Sequence, residues 1–289
     1  MSETRNIPLV STSASACCGD DCCGGAKGES LAAGADPRSV VREKYGLVAD
    51  GISNSCGCTS PGDASAVLAE LGYTAEQAAA IPEGANLGLG CGNPLAHAGL
   101  VPGETVLDLG SGAGIDCFLA AREVGPSGRV IGVDMTSAMI ERARANVARA
   151  GGGNVEFRLG EIEHLPVADG SVDCIISNCV VNLSPDKPQV FAEALRVLRP
   201  GGRLVVSDLV LTRPLSPGMQ DNVALYVGCI AGAALKDDYL DMLRAAGFSR
   251  IEVVSEQGYA IGVDALAEAS PEREAFAAVV SVKVRAVKA

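Results

Sequence analysis

The chain has no tryptophan and only five tyrosines and five phenylalanines in 289 residues, which leaves few platforms on which nucleobases could stack. Positive charge is also scarce. Lys and Arg number 23 against 35 Asp and Glu, and the formal net charge of −12 repels phosphate backbones. Nucleic acid is therefore not expected as a partner. With two histidines in the whole chain, a histidine-based triad or a His-rich metal centre is hard to build. His164, in a polar stretch before Leu165-Pro166, reads as a surface loop residue, and His97 as a helix surface residue. No apolar run approaches the roughly 18 residues of a membrane span. The N-terminal Met1-Ser2-Glu3-Thr4-Arg5 lacks the basic-then-apolar order of a secretory signal. These absences predict a soluble, cytoplasmic protein with no membrane partner.

Cysteine, by contrast, is abundant, at 11 residues, and the 48% hydrophobic content supplies a core that does not depend on disulfides. Reduced, functional thiols are the expectation. Residues 1–36, rich in Ser, Ala, Gly and Cys and without apolar periodicity, read as a flexible tail that carries Cys17, Cys18, Cys22 and Cys23. Residues 37–100 read as an N-terminal helical cap with loops. A helix turn over Val40 to Gly46 comes first, Ala64 to Leu71 and Thr74 to Ala80 are short helices, and Thr74 with Gln77 has capping-box spacing.

Residues 101–289 carry the main domain. Apolar strands at 106–109, 130–133, 155–158, 172–176 and 203–207 alternate with helices beginning at Asp116, Ala138 and Gln189. Such alternation requires an α/β fold: a mostly parallel, doubly wound sheet with helices on both faces. A helix at 237–246, a strand at 251–254 and a two-residue alternation from Ser281 to Lys288 complete it, the last as an antiparallel strand. Residues 212–235 interrupt the pattern and are expected to reach over the sheet edge as a lid.

Asp108-Leu109-Gly110-Ser111-Gly112-Ala113-Gly114 leaves a strand and opens a helix. Glycines there permit a tight turn and close backbone approach, and the helix start offers unpaired N–H groups to a ligand. Asp134 ends the next strand, where a carboxylate can accept hydrogen bonds from ribose hydroxyls. With Gly160-Glu161-Ile162 after the third strand and Leu198-Arg199-Pro200-Gly201-Gly202 before the fifth, the pattern resembles the class I S-adenosylmethionine (SAM) methyltransferases. That resemblance implies a seven-stranded Rossmann-like sheet with a terminal antiparallel strand, and SAM as cofactor. It places the loop glycines Gly110, Gly112 and Gly114 under the methionyl part of SAM, with Asp108 and Ser111 also binding the cofactor. Asp134 falls at the ribose, Glu161 and Ile162 flank the adenine, and Met135, Gly160 and Asn178 are further cofactor-binding residues.

Three isolated cysteines bracket this loop. Cys117 and Cys174, in apolar helix and strand sequence, read as buried packing residues. Cys91, Cys179 and Cys229 differ because they stand in Gly- or Asn-rich loop sequence, where packing gives little reason for a thiol and soft thiolates select soft ions. Residues 87–94, 177–187 and 226–233 resemble the three cysteine segments of arsenite methyltransferases. The resemblance implies that Cys91, Cys179 and Cys229 hold trivalent arsenic, with arsenite and methylarsenite as substrates. It also implies a recyclable disulfide between Cys91 and an upstream cysteine, Cys56 or Cys58, with thioredoxin or glutathione as reductant. On the residues alone two alternatives stay open: a methyltransferase for another small molecule, and a thiol-rich protein that sequesters metalloid.

Overall fold

A computed structural model describes residues 30–31, 36–52, 64–151, 153–259 and 271–289. The expectations for Cys17, Cys18, Cys22, Cys23, Cys56 and Cys58 lie outside the described residues.

The chain enters through α1 (Pro37–Ala49), capped by Asp36, whose carboxylate accepts from Arg38 N, with proline at the first helical position where no N–H is needed. α1 is longer at both ends than the turn expected over 40–46. Ser30 and Leu31 already contact Asp221 and Asn222 through the backbone, so part of the expected tail belongs to the packed molecule. α2 (Ala64–Glu70) and α3 (Ala75–Ala80) follow, and α3 has both bonds of the Thr74–Gln77 capping box. α4 (Leu95–Ala98) is a single turn closed by Gly99 in the left-handed region.

The core alternates β1 (Thr105–Leu109), α5 (Ile115–Val124), β2 (Arg129–Asp134), α6 (Ser137–Ala150), β3 (Val155–Leu159), β4 (Val172–Asn178), α7 (Lys187–Val197) and β5 (Leu198–Leu211). After β5 come α8 (Pro217–Gln220), α9 (Val223–Val227), α10 (Lys236–Ala246), β6 (Phe248–Gly258), α11 (Pro271–Phe276) and β7 (Val279–Lys288). The seven strands lie in the order β3-β2-β1-β4-β5-β7-β6, and β7 alone runs antiparallel, inserted between β5 and β6. β5 is far longer than the expected 203–207 because β7 pairs with it from Arg203 to Leu211.

One face of the sheet packs α7 and α10 through Phe191, Tyr239 and Leu243, and the other packs α5 and α6 through Phe118, Leu119 and Ile140. A third cluster lies beyond the carboxyl ends of the strands. It joins Val41 of α1 to Leu209, Leu215, Leu225, Tyr226, Ile230 and Val279, and includes Cys91 and Cys229. The segment read as a lid is thus anchored by its own buried apolar residues. Strand order reverses between β1 and β4, and the chain ends there diverge to open a crevice.

Candidate active site

The crevice is floored by the loop after β1. Gly110 N and Ser111 N both donate to Val133 O, at 2.8 and 3.0 Å, which ties the loop to the end of β2. Gly110 has φ +68°, and a Cβ there would meet Val180 Cγ2 at 2.2 Å, so the position requires glycine twice over. Gly112, at φ +51°, has nothing within 4 Å of a built Cβ and faces open space. Asp134 is held on both oxygens by backbone: Gly112 N donates at 3.0 Å and Thr136 N at 2.8 Å. Burial raises its carboxyl above the ordinary range, against those bonds, and the residue lines the cleft.

Of the residues expected around the cofactor, Asp108, Gly110, Ser111, Gly112, Asp134, Met135, Gly160, Ile162 and Asn178 all line this cleft. Gly114 lies behind it as the left-handed start of α5, where a Cβ would strike Phe157. Glu161 is engaged by α1. Its carboxylate accepts from Arg38 Nη1 at 2.8 Å and Arg42 Nη2 at 3.0 Å, and it does not line the cleft. The two guanidiniums lie on one face of α1, and the ion pairs tie that helix to the loop after β3. Val41 and Tyr45 of α1 line the cleft.

Beside the loop lie two buried carboxylates. Asp108, 3% exposed, accepts from Cys117 Sγ at 3.2 Å and is pushed well up by burial and by the charge of Asp116. Asp116, equally buried, is raised to about 6 by burial, although Tyr73 Oη donates to it at 2.7 Å and Asn178 Nδ2 lies at 3.3 Å. Among the described residues no salt bridge engages either acid. The residues present fit a cofactor carrying positive charge: a buried acid pair without a protein cation, an open glycine, and a ribose-height carboxylate.

The three loop cysteines converge at one end of this cleft. Cys179, half-buried at the end of β4, lines it and is disulfide-bonded to Cys91 with a Cα separation of 5.7 Å. Cys229 Sγ donates to Cys179 O at 2.9 Å. Cys179 and Cys229 have φ values of 58° and 64°, a left-handed backbone that costs a non-glycine residue on the order of 1–2 kcal/mol. The surrounding structure holds both thiols against that strain. Cys117 and Cys174 are fully buried, and burial pushes Cys174 up to about 12, so neither offers a thiolate.

Cys56 and Cys58, the expected partners of Cys91, lie outside the described residues, and within those residues Cys91 is bonded to Cys179. Asn178 explains it. Its Nδ2 donates to Gly92 O at 2.7 Å and its Oδ1 accepts from Cys91 N at 3.0 Å, which draws the Cys91 loop onto the end of β4. Cys179 N donates to Ser207 O at 2.8 Å and fixes the other partner.

Sequence reasoning missed Tyr73, Asp116 and Asp208. A carboxylate oxygen of Asp208 and the sulfurs of Cys91 and Cys179 lie within 4.8 Å of one another. Burial raises Asp208 to about 7, and Tyr239 Oη donates to it at 3.1 Å. The signal was an acid within an apolar strand, one residue past the expected end of β5. Asp116, two residues after the last loop glycine, gave a similar one. His164 is exposed and His97 half-buried on α4; neither lines the cleft.

Residues 100–247 match the family model described as a methyltransferase domain. The arsenite methyltransferase of Halobacterium salinarum is 52% identical over 239 residues, covering 78% of this chain and 61% of that protein. That of Aquipseudomonas alcaligenes is 45% identical over 186 residues, covering 62% of this chain and 53% of that protein. The chain thus spans between half and two thirds of the length of these curated relatives. The crystal structure of an arsenic(III) S-adenosylmethionine methyltransferase from Chlamydomonas reinhardtii superposes with a TM-score of 0.60 at 35% identity, covering 79% of this chain and 74% of that one. With the Gly-rich loop and the acid at the end of β2 in one cleft and three cysteines converging at its end, the chain belongs to the arsenite methyltransferase family of SAM-dependent methyltransferases.

Proposed function

We propose that this chain transfers methyl groups from SAM to thiol-bound trivalent arsenic, with arsenite and methylarsenite as substrates. The observation that carries the reading is the convergence of Cys91, Cys179 and Cys229 beside the cofactor cleft, with Cys179 in its wall. Three thiols bind arsenite by exchange: three As–S bonds replace three As–O bonds and three waters leave. Bound this way, arsenic keeps a lone pair and needs no general base, which agrees with a site that no histidine lines. SAM, when bound, supplies a methyl carbon on a sulfonium that leaves as a neutral thioether.

The chain's own residues then position the nucleophile. Cys179 and Cys229 hold arsenic at the cleft wall, Asp134 and the loop of Gly110 to Gly112 orient the donor, and α1 shields the mouth from water. Transfer formally oxidises arsenic from the trivalent to the pentavalent state. Two thiols return the two electrons by forming a disulfide, and the 5.7 Å Cα separation of Cys91 and Cys179 supports that pair in the role. A cytoplasmic dithiol such as thioredoxin, or glutathione, would then restore the thiols.

The test is incubation of the reduced chain with arsenite, methyl-labelled SAM and a thiol reductant, followed by chromatographic detection of labelled methylarsenicals. Label transferred only to oxygen, nitrogen or carbon acceptors, or arsenite bound with no label transferred, would sink the reading.

A further inference from the structure

Asp116 stands where the cofactor cleft meets the thiol loop. Its carboxylate, 2% exposed, lines the cleft at the start of α5. Tyr73 Oη donates to Oδ1 at 2.7 Å, Asn178 Nδ2 lies 3.3 Å from Oδ2, and Asn178 also reaches Tyr73 Oη at 3.1 Å. The three side chains close a triangle. Asn178 then extends from it to both backbone sides of the thiol loop, donating to Gly92 O and accepting from Cys91 N. Gly90 is packed against the same amide: a Cβ there would meet Asn178 Nδ2 at 3.0 Å.

Nothing in the arsenic chemistry requires Asp116 to touch the substrate, yet a buried acid beside a second buried acid is costly unless something offsets it. Among the described residues no salt bridge engages either, so when the pair is ionised a cationic ligand would supply the offsetting charge. The amino-acid ammonium and the sulfonium of the cofactor both carry it. A ligand cation that fixes the Asp116 carboxylate also fixes the two donors that point at it, and one of those donors is the amide holding the Cys91 loop. Linkage makes the effect reciprocal: a loop held in place tightens the cofactor, and a bound cofactor steadies the loop.

We propose that Asp116 is a positioning residue that couples cofactor occupancy to the placement of Cys91, acting through Tyr73 and Asn178. The inference rests on the reading of the cleft as the SAM pocket. In this arrangement the arsenic site is held more firmly when the methyl donor is present, which favours binding of arsenic to the cofactor-loaded cleft.

The coupling is measured on the reduced full chain without arsenic, by the rate at which iodoacetamide alkylates Cys91, mapped by mass spectrometry with and without S-adenosylhomocysteine. Cys91 is 2% exposed, so its alkylation reports opening of the loop. In the wild-type chain, saturating S-adenosylhomocysteine should slow alkylation by about tenfold, within the range of ordinary site-to-site coupling. Asp116→Asn keeps the volume but places an amide donor against the donor of Asn178, and should reduce that protection to less than about twofold. Tyr73→Phe, outside the cleft lining, should likewise lose protection, with a fall in ligand affinity by calorimetry no larger than the coupling it removes. Cys174, buried in β4, should resist alkylation throughout and so report an intact fold. Full protection in both variants, or a wild-type chain that binds the ligand without protecting Cys91, would overturn the coupling and leave the cofactor reading standing. Failure of the wild-type chain to bind the ligand would overturn both.

Discussion

The two halves of the active site are built in opposite ways. The cofactor half is local: one strand, one glycine loop, one helix start and one acid 26 residues after Asp108, held together by backbone hydrogen bonds to Val133 and Asp134. The thiol half is assembled from three segments that are far apart in the chain, and Cys91 and Cys179 are separated by 88 residues. Its geometry depends on one amide, Asn178, and on two cysteines held in left-handed backbone. A backbone-built pocket should tolerate changes of side chain and resist changes of backbone. A side-chain-built site should do the reverse.

The largest test of that contrast falls on the thiols. Serine is nearly isosteric with cysteine but a poor ligand for a soft ion. Cys179→Ser and Cys229→Ser should therefore each abolish turnover of arsenite and of methylarsenite, while S-adenosylhomocysteine affinity and thermal midpoint stay near the wild-type values. Calorimetry, thermal unfolding and product analysis on the same preparations check this. Full activity in either variant with both substrates would remove that thiol from the site and leave the comparison with one half.

The next test falls on the backbone-built half. Gly110→Ala has to push Val180 aside from a 2.2 Å approach at φ +68°, and should cost roughly 2–3 kcal/mol in stability with a matching loss of cofactor affinity. Gly112→Ala meets nothing within 4 Å and carries only the left-handed penalty, about 1 kcal/mol. Urea denaturation and cofactor titration of the pair measure the difference. Equal losses at the two positions would mean that steric closeness to Val180 does not define the loop.

This difference in construction also decided what could be read from the sequence. The sheet, the glycine loop and Asp134 follow from local pattern, because periodicity and turn chemistry act within a few residues. The capping box on α3 was legible for the same reason. The length of β5 was not, since it is set by pairing with β7 from the far end of the chain. The ion pairs of Glu161 were not legible, because its partners Arg38 and Arg42 lie more than a hundred residues upstream, on a helix whose approach no local rule reports. The Cys91–Cys179 pairing likewise turns on Asn178, whose bonds to the Cys91 loop cross two elements. Resemblance to a family identified the three thiols, but not which of them close on one another.

The smallest effect concerns pH, and its sign follows from the buried acids. Asp116 is raised from 3.8 to about 6 by burial, and Asp108 is raised with it. A carboxyl whose folded value lies above its unfolded value stabilises the fold fully only below the unfolded value. That contribution is lost as pH rises through the folded value, so the ligand-free chain should weaken between about pH 4 and 6, by roughly 3 kcal/mol at most for Asp116. A cationic ligand reverses the preference, because it binds the ionised acid. S-adenosylhomocysteine, which keeps the ammonium, should therefore bind about tenfold more tightly at pH 7.5 than at pH 5, one unit below the Asp116 value. Calorimetry across that range gives the slope, and Asp116→Asn should flatten it. An affinity that stays level from pH 5 to 7.5 in the wild-type chain would mean that the cofactor cation is balanced elsewhere. The acid pair would then belong to the thiol half of the site, not to the cofactor half.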